Sequence, residues 1–483
     1  MNTIFKSYQN VKLLIVVICL LCAFGCKKIL EVPIPENAIT IDAQFRDTAS
    51  ANAAVRGIYV RMTGNSSFEW GGITANAAKS ADDIHKITGA DAFELNQLTS
   101  ANKPIDPARD MWRQAYGTIN KINACIEGLG RSNGLPPDQK LQLLGECYFD
   151  RAFIYFNLVN LWGNATALVL TTDVIANTTA ASTTQAVIYQ QIIADLVQAE
   201  HMMSANYPSP QRARPNVMAA AALLARVYLY TNQYSEAIAE SGKVINSGLY
   251  TPLPALATNF LKGSNEIIWA FAAPNADFSS TADGQNFLPL FSFVAPPYQL
   301  TTGLLGSFEG GDRRSTAWVG TYNAATGQHY TYPRKYKNNY NDQTGTENYI
   351  VLRAGEQYLI RAEAYCRINN VTAAVADLNV VRARAFKDPS TGIIPPNAIL
   401  SAGMTVPACM AAVEHERRVE LFAEWGHRWF DLKRWPGLTS NNLTRADEVL
   451  PPIKPAWQPG SKLYPISDVE IQLDPNLKQN PGY

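Results

Sequence analysis

Charge is scarce in this chain. Asp, Glu, Lys and Arg make up 17% of its 483 residues, against about 25% in ordinary globular domains. The two signs balance at 41 each. The basic surplus that phosphate contacts need is therefore missing, which argues against a nucleic-acid partner. Histidine is rarer, with five in all, and no spacing among them supplies a zinc set. His415-Glu416-Arg417-Arg418-Val419 opens like the metalloprotease H-E-x-x-H, then puts valine where the second ligand belongs. Neither a Walker A, a G-x-S-x-G nor a G-x-G-x-x-G motif occurs. Adjacent carboxylates such as Asp82-Asp83 do not name a glycosidase pair without geometry. These absences shift weight from catalysis to binding, and neither a cofactor nor a metal is expected.

Long apolar runs are also missing. Leu13 to Phe24 is a run of twelve residues, too short for a bilayer that takes roughly 20. Preceded by Lys6 and Lys12, it fits the apolar region of a secretory signal. It ends Ala23-Phe24-Gly25-Cys26. A small residue before a cysteine at that point resembles a bacterial lipoprotein signal, which implies removal of residues 1–25 and lipidation of Cys26. Several acyl chains would give stable attachment where one would not. Of seven cysteines, Cys19 and Cys22 leave with the signal. Cys125, Cys147, Cys366 and Cys409 lie far apart without a C-x-x-C pair. They form neither a zinc site nor a disulfide framework and read as small core residues.

What is plentiful is apolar and aromatic: 47% hydrophobic residues, with 22 Tyr, 18 Phe and 9 Trp. That supports a large buried core and excludes disorder. A surface so poor in charge and rich in rings favours uncharged, ring-shaped or amide-rich ligands. Helical spacing dominates Glu146–Leu161, Met218–Ile245 and Glu356–Arg382. Ala225, Tyr228, Ala237 and Ser241 recur as Ala362, Tyr365, Ala374 and Leu378 at identical intervals, and Ala152 with Tyr155 repeats the first half. Small residues let antiparallel helices approach, and the polar turns Thr231-Asn232-Gln233 and Asn369-Asn370 separate them. The pattern resembles tetratricopeptide helix pairs. The fold class expected is mainly α: a scaffold of such pairs carrying an irregular, loop-rich face with short strands. Residues 250–345 are the irregular part, with β-like Glu266–Phe271. Gly64–Ile105 is a second irregular stretch, between a helix over Thr48–Arg61 and one starting at Pro107 behind Asp106.

Residues 414–435, EHERRVELFAEWGHRWFDLKRW, give a packed helix with a Gly426 break. The closing LYPISDVEIQLDPNLKQNPGY carries turn residues to a final tyrosine. With ILEVPIPENAIT, MWRQAYGTINKIN, ECYFDRAFIYFNLVNLWGN, GGDRR at 310–314 and YIVLRAGEQYLIRAEAY, this constellation resembles the SusD/RagB family of outer-membrane nutrient-binding lipoproteins. The resemblance spans the whole mature chain, 26–483, as a single domain, with an N-terminal region to 249 and a C-terminal one from 250. It implies a non-enzymatic lipoprotein of the cell surface that captures oligosaccharide or polysaccharide for a SusC-like TonB-dependent transporter. A RagB-like branch would take peptides or glycopeptides instead. A helical-repeat scaffold for protein partners is the rival from another class.

The family places ligand on the irregular face. From its two loop regions the candidates are Trp70, Asn76, Asp82, Asp83 and Phe93, then Tyr298, Trp318, Tyr322 and Tyr340. Rings would stack on sugar faces while Asp and Asn take hydroxyls. Trp70 and Trp318, flanked by Gly, Ser, Thr and Ala and not by a helical stripe, are the preferred pair. Arg417, Arg418, Glu420, Arg428 and Asp431 read as internal ion pairs fixing the last helix.

Overall fold

The computed structural model describes residues 40–64, 68–101, 106–272, 280–342 and 344–483. The signal segment and Cys26 lie outside the described residues. Phe45–Tyr483 forms one compact unit; Met1–Gln44 is a separate one, of which the short helix Ile41–Gln44 is described. No helix among the described residues is long and apolar enough to cross a membrane.

The larger unit is mainly helical. Its long helices are α1 (Thr48–Thr63), α2 (Gly72–Ser80), α3 (Pro107–Arg131), α4 (Pro137–Trp162), α5 (Gln185–Met202), α6 (Val217–Tyr230), α7 (Tyr234–Asn246), α8 (Ala354–Arg367), α9 (Val371–Phe386), α10 (Val406–Leu421) and α11 (His427–Arg434). From α4 to α9 each helix packs on its predecessor, which is a helix-pair stack, and α10 closes on α8 and α9. Start signals behave as expected: Pro107 opens α3, and the Asp106 carboxylate accepts from Arg109 N–H at 3.0 Å. Helix α4 is buried almost without interruption from Glu146 to Val159. A helix apolar all round belongs in the middle of a stack, and this one has α3 and α5 on its flanks.

The repeated small residues sit at the seams. Ala225 and Ala237 in one pair, and Ala362 and Ala374 in the next, are fully buried. Ala225, Leu229 and Ala237 share an apolar cluster with Ile360 and Ala364, so the seam joins the two pairs as well as the helices within one. The turns repeat too. Asn232 and Asn369 adopt left-handed φ values of 59° and 63°. The following N–H groups of Gln233 and Asn370 donate back to Tyr228 and Tyr365 carbonyls, at 2.8 Å in both pairs. Asparagine is one of the few residues besides glycine that adopts this conformation readily. The irregular stretch after α1 differs from expectation by holding α2, whose Ala75, Ala77 and Ala78 bury one whole helix against the core. Helix α5 likewise lies outside the repeated spacing.

Among the described residues, three small antiparallel sheets decorate the stack. They pair β1 (Ile84–Lys86) with β3 (Tyr298–Leu300), β2 (Ile267–Phe271) with β6 (Tyr349–Arg353), and β4 (Val319–Asn323) with β5 (His329–Pro333). β2 and β6 are buried throughout, as continuous apolar runs require.

The C-terminal motif ties these parts together through charge. Glu420 receives Arg314 at 3.0 Å, Arg353 at 2.7 Å and Arg384. Glu424 takes Arg353 and Lys335, and Arg417 pairs with Asp431 at 2.7 Å. Glu414 and Arg418, and Glu424 and Arg428, though spaced i,i+4 on the sequence, are not the pairs formed. Arg418 and Arg428 reach Asp82 instead, across most of the chain.

Candidate functional site

The irregular face grows from β3. Its strand pairs with β1, from Ile84 opposite Leu300 to Lys86 opposite Tyr298, and β5 packs beside it. The segment 288–297 leads into β3, and Asn339 and Asn341 hold that segment. The Asn339 amide donates to the carbonyls of Pro289 and Leu290 at 2.8 and 3.2 Å, and that of Asn341 donates to Leu290 at 2.9 Å. Val294 N–H closes a turn on the Phe291 carbonyl.

This clamp presents a ledge of rings to solvent. Phe293 is 78% exposed and Phe291 47%. Their planes lie 1° apart with centroids at 5.3 Å. Tyr340, half exposed, sits between the two clamping asparagines. Leu290 and Val294 extend the apolar surface. The β4–β5 hairpin adds Tyr322 opposite Tyr330, half-buried with centroids 6.4 Å apart. Large rings held in parallel and left wet form a stacking platform; exposed phenylalanines in a cluster carry meaning that scattered ones do not.

On the other side of β3 a cleft of about 470 Å³ is lined by Ile84, His85, Glu94, Thr301 and Lys454, with Asp82 at its edge. The Lys454 ammonium donates to the Lys79 and Glu94 carbonyls at 2.5 and 2.9 Å, and burial brings its pKa down to about 8. His85 Nδ1 stands 3.3 Å from Glu94. The cleft offers polar groups with few rings, the ledge rings with few polar groups.

The structure keeps some of the sequence candidates at this surface and removes others. Tyr340, Tyr322 and the half-buried Tyr298 belong to the face, Tyr298 lying edge-on to Phe287 at 5.8 Å. Trp70 is half-buried against Tyr349 at 5.5 Å. Trp318, preferred from sequence, is wholly buried: its Nε1–H donates to the Leu256 carbonyl at 3.1 Å and Lys335 lies 4.8 Å from its ring. It has no free face for a sugar. Phe93 is core as well, edge-on to Tyr464 at 5.1 Å. Asn76 is buried on α2 with its amide toward Met111 sulfur. Asp82 is a structural anchor, its carboxylate taking Arg428 at 2.8 and 3.1 Å and Arg418 at 2.8 Å. Burial pushes its pKa up, but the two guanidinium groups outweigh that and hold it below the usual value.

Asp83 is buried, and among the described residues neither carboxylate oxygen has a hydrogen-bond partner. Burial, reinforced by the Asp82 charge, raises its pKa to about 6. A raised carboxyl stabilises the fold fully below its unfolded value near 4, and that contribution is lost as pH rises through about 6. Asp83→Asn, neutral at every pH, is therefore expected to stabilise the protein at pH 8 by ~1–3 kcal/mol and to be nearly neutral at about pH 3.5. Urea denaturation at the two pH values measures this; equal effects at both would remove the assignment.

Phe291 and Phe293 are not among the sequence candidates, although Phe-Ser-Phe before Pro-Pro in a segment without helical period was the available signal. A cluster able to hold a cation, Glu309, His415 and Glu416, is already served by Arg382, which donates to both carboxylates.

Comparison with known proteins agrees with this architecture. Residues 46–229 match a family model described as starch-binding associating with outer membrane, and residues 307–483 match one described as SusD family. SusD-like protein P2 of Formosa agariphila is 26% identical over 97% of this chain and 98% of its own length. A SusD superfamily protein from Bacteroides vulgatus superposes with a TM-score of 0.74 at 19% identity, covering 91% of this chain and 100% of that one. A laminarin binding SusD-like protein superposes at 0.71 with 21% identity over 91% and 100%. The structural likenesses are of fold.

Proposed function

The chain belongs to the SusD/RagB family, a carbohydrate-binding family associated with the outer membrane, and from that premise we propose that it is a surface lipoprotein capturing neutral glycan for a transporter. The observation that carries the ligand class is the ledge of Phe291, Phe293 and Tyr340, rings kept in water by an asparagine clamp. Sugar rings have apolar faces that lie on such a surface, and the low charge of the chain suits a ligand without phosphate or sulfate. Binding at an open, wet ledge is weak for each sugar unit, since little area is buried and hydroxyl desolvation offsets the hydrogen bonds gained. A polymer that meets several rings at once compensates by multivalency.

Anchoring through Cys26 would place the unit at the membrane surface, and a TonB-dependent SusC-like barrel would receive what the ledge holds. Calorimetry against laminarin, other neutral polysaccharides and peptides tests the proposal. Saturable binding of a neutral glycan is the expected result. Binding of peptides alone would replace it with the peptide-capture reading, and association with soluble proteins but no barrel would favour a scaffold. Membrane fractionation of wild type and Cys26→Ala, together with co-purification of a barrel protein, tests the location and the partner.

A further inference from the structure

A further cleft lies where the first turns of α4 meet α1 and the end of α5. It encloses about 550 Å³, inside the range of pockets that take small ligands. None of its lining residues belongs to β3, to the 288–297 segment or to the β4–β5 hairpin. Four side-chain amides line it: Asn52 from α1, Gln139 and Gln142 from α4, and Asn206 from the segment after α5. Leu141, Met202 and Tyr207 give it apolar surface.

Its floor is set by a buried ion pair. Glu146 is fully buried, and its carboxylate accepts from Arg214 Nε and Nη2 at 2.7 Å each. The Tyr59 hydroxyl and the Gln142 amide donate to it as well, both at 3.0 Å. Arg214 gives its remaining nitrogen to Asn52 Oδ1 at 3.2 Å, and Gln142 Oε1 accepts from Ser204 N–H at 2.9 Å. Two of the amides are thus fixed in place, and the guanidinium charge is neutralised where it lines the cleft. Gln139 and Asn206 are exposed, and neither side-chain amide has a hydrogen-bond partner among the described residues. The wall that runs from Tyr207 to Arg214 is pinned. Gln211 and Arg212 both take left-handed φ values, 58° and 57°, which residues other than glycine, asparagine and aspartate seldom adopt. Arg212 holds them there by donating to the carbonyls of Asn265 and Leu249 at 3.0 and 3.4 Å, with its guanidinium 5.4 Å from the Tyr207 ring. Tyr207 is fixed in turn, its hydroxyl donating to the Ile268 carbonyl at 2.8 Å and meeting that of Tyr250 at 2.6 Å. Backbone strain sustained by such surroundings is a feature of ligand clamps.

We propose that this cleft is a second binding site for neutral oligosaccharide, separate from the ledge. It rests on the glycan reading above. A free amide offers donor and acceptor at the end of one side chain, which suits the neighbouring hydroxyls of a sugar ring. Tyr207 and Met202 supply an apolar surface for the face of that ring. Charged ligands find little here. Arg214 is already spent on Glu146, so phosphate or sulfate meets no counter-charge. For the charged ends of a peptide, the cleft offers one exposed carboxylate, that of Asp138. Two sites on one unit give a polymer two points of attachment, and each raises the effective concentration at the other.

The test titrates the full mature chain with short neutral oligosaccharides, laminarihexaose and maltohexaose among them, by calorimetry and by hydrogen exchange. Two sites per chain are expected in the wild type. With Phe291→Ala and Phe293→Ala together, one site should remain, and sugar should slow exchange in the backbone of 138–143 and 202–208, which line the cleft. Adding Gln139→Ala and Asn206→Ala to that variant should weaken the remaining site roughly tenfold or more. Both side chains are exposed, so the melting temperature should stay where it was. Loss of all sugar binding in the ledge variant overturns the second site and leaves the ledge reading standing. Residual binding without protection at the cleft, or unaffected by the two added substitutions, also overturns it. So does protection of the cleft by peptides but not by sugar. Should no oligosaccharide bind the wild type, the glycan reading fails, and this site falls with it.

Discussion

Glu420→Ala is expected to cost ~3–5 kcal/mol, the range seen when one member of a buried ion network is deleted. Glu420 is fully buried, and its carboxylate receives Arg314, Arg353 and Arg384. Its backbone carbonyl takes Lys335 and Arg353 at 2.7 and 3.0 Å. Removing the carboxylate strands three guanidinium groups where water cannot follow. A domain of this kind has a total stability of about 5–15 kcal/mol, so a fifth or more of it would vanish. The same network predicts acid lability. Burial pushes Glu420 upward, but Arg384, Arg353 and Arg314 overcome it and hold its pKa well below the ordinary 4.5. A depressed carboxyl contributes stability above its unfolded value, and that contribution fades as pH falls below about 4.5 toward the folded value. Guanidinium-induced unfolding at pH 7 and pH 4 measures both effects. A loss under 1 kcal/mol at pH 7 would show that the arginines are held by their other partners.

The second large effect concerns binding. Phe291→Ala with Phe293→Ala should weaken glycan affinity by roughly 10–100-fold, corresponding to ~0.5–1.5 kcal/mol for each stacking contact. Both rings are exposed, so stability should change by no more than about 0.5 kcal/mol. Calorimetry and thermal melting of the double variant separate the two quantities. Unchanged affinity in a folded double variant would move the site to the cleft beside Lys454. Trp318→Ala is the instructive contrast. Deleting that buried ring should cost about 3–5 kcal/mol, and any binding lost with it would reflect unfolding.

The helix seams and the misplaced rings show what a sequence can convey. Ala225, Tyr228 and Asn232 recur as Ala362, Tyr365 and Asn369 because a helix seam and its left-handed turn impose the same chemistry at the same period. That part of the fold was legible. Trp318 looked exposed because small residues and no helical stripe flank it, yet Lys335 and Leu256 close over it from other segments. Asp82 and Asp83 looked like a surface pair for a similar reason. The arginine that claims Asp82 lies 346 residues downstream, and no local pattern encodes that distance. Phe291 and Phe293 suffered the opposite error, since an apolar residue is by default assigned to the core. Only the Asn339–Asn341 clamp shows that they are held outward.

The last residues of the chain close over its middle. Asn480 donates to the carbonyls of Trp162 and Tyr464, Trp162 Nε1–H to that of Pro465, and Tyr464 N–H to that of Leu161. The centre is therefore sealed by the tail, and Asp82 waits for Arg428. Native structure of such high contact order cannot be completed on a partial chain. A chain that stops short of Arg428 or Asn480 leaves the Asp82 carboxylate and the Trp162 carbonyl without these partners, so shortening the C-terminal segment would open the middle of the stack and not merely fray an edge.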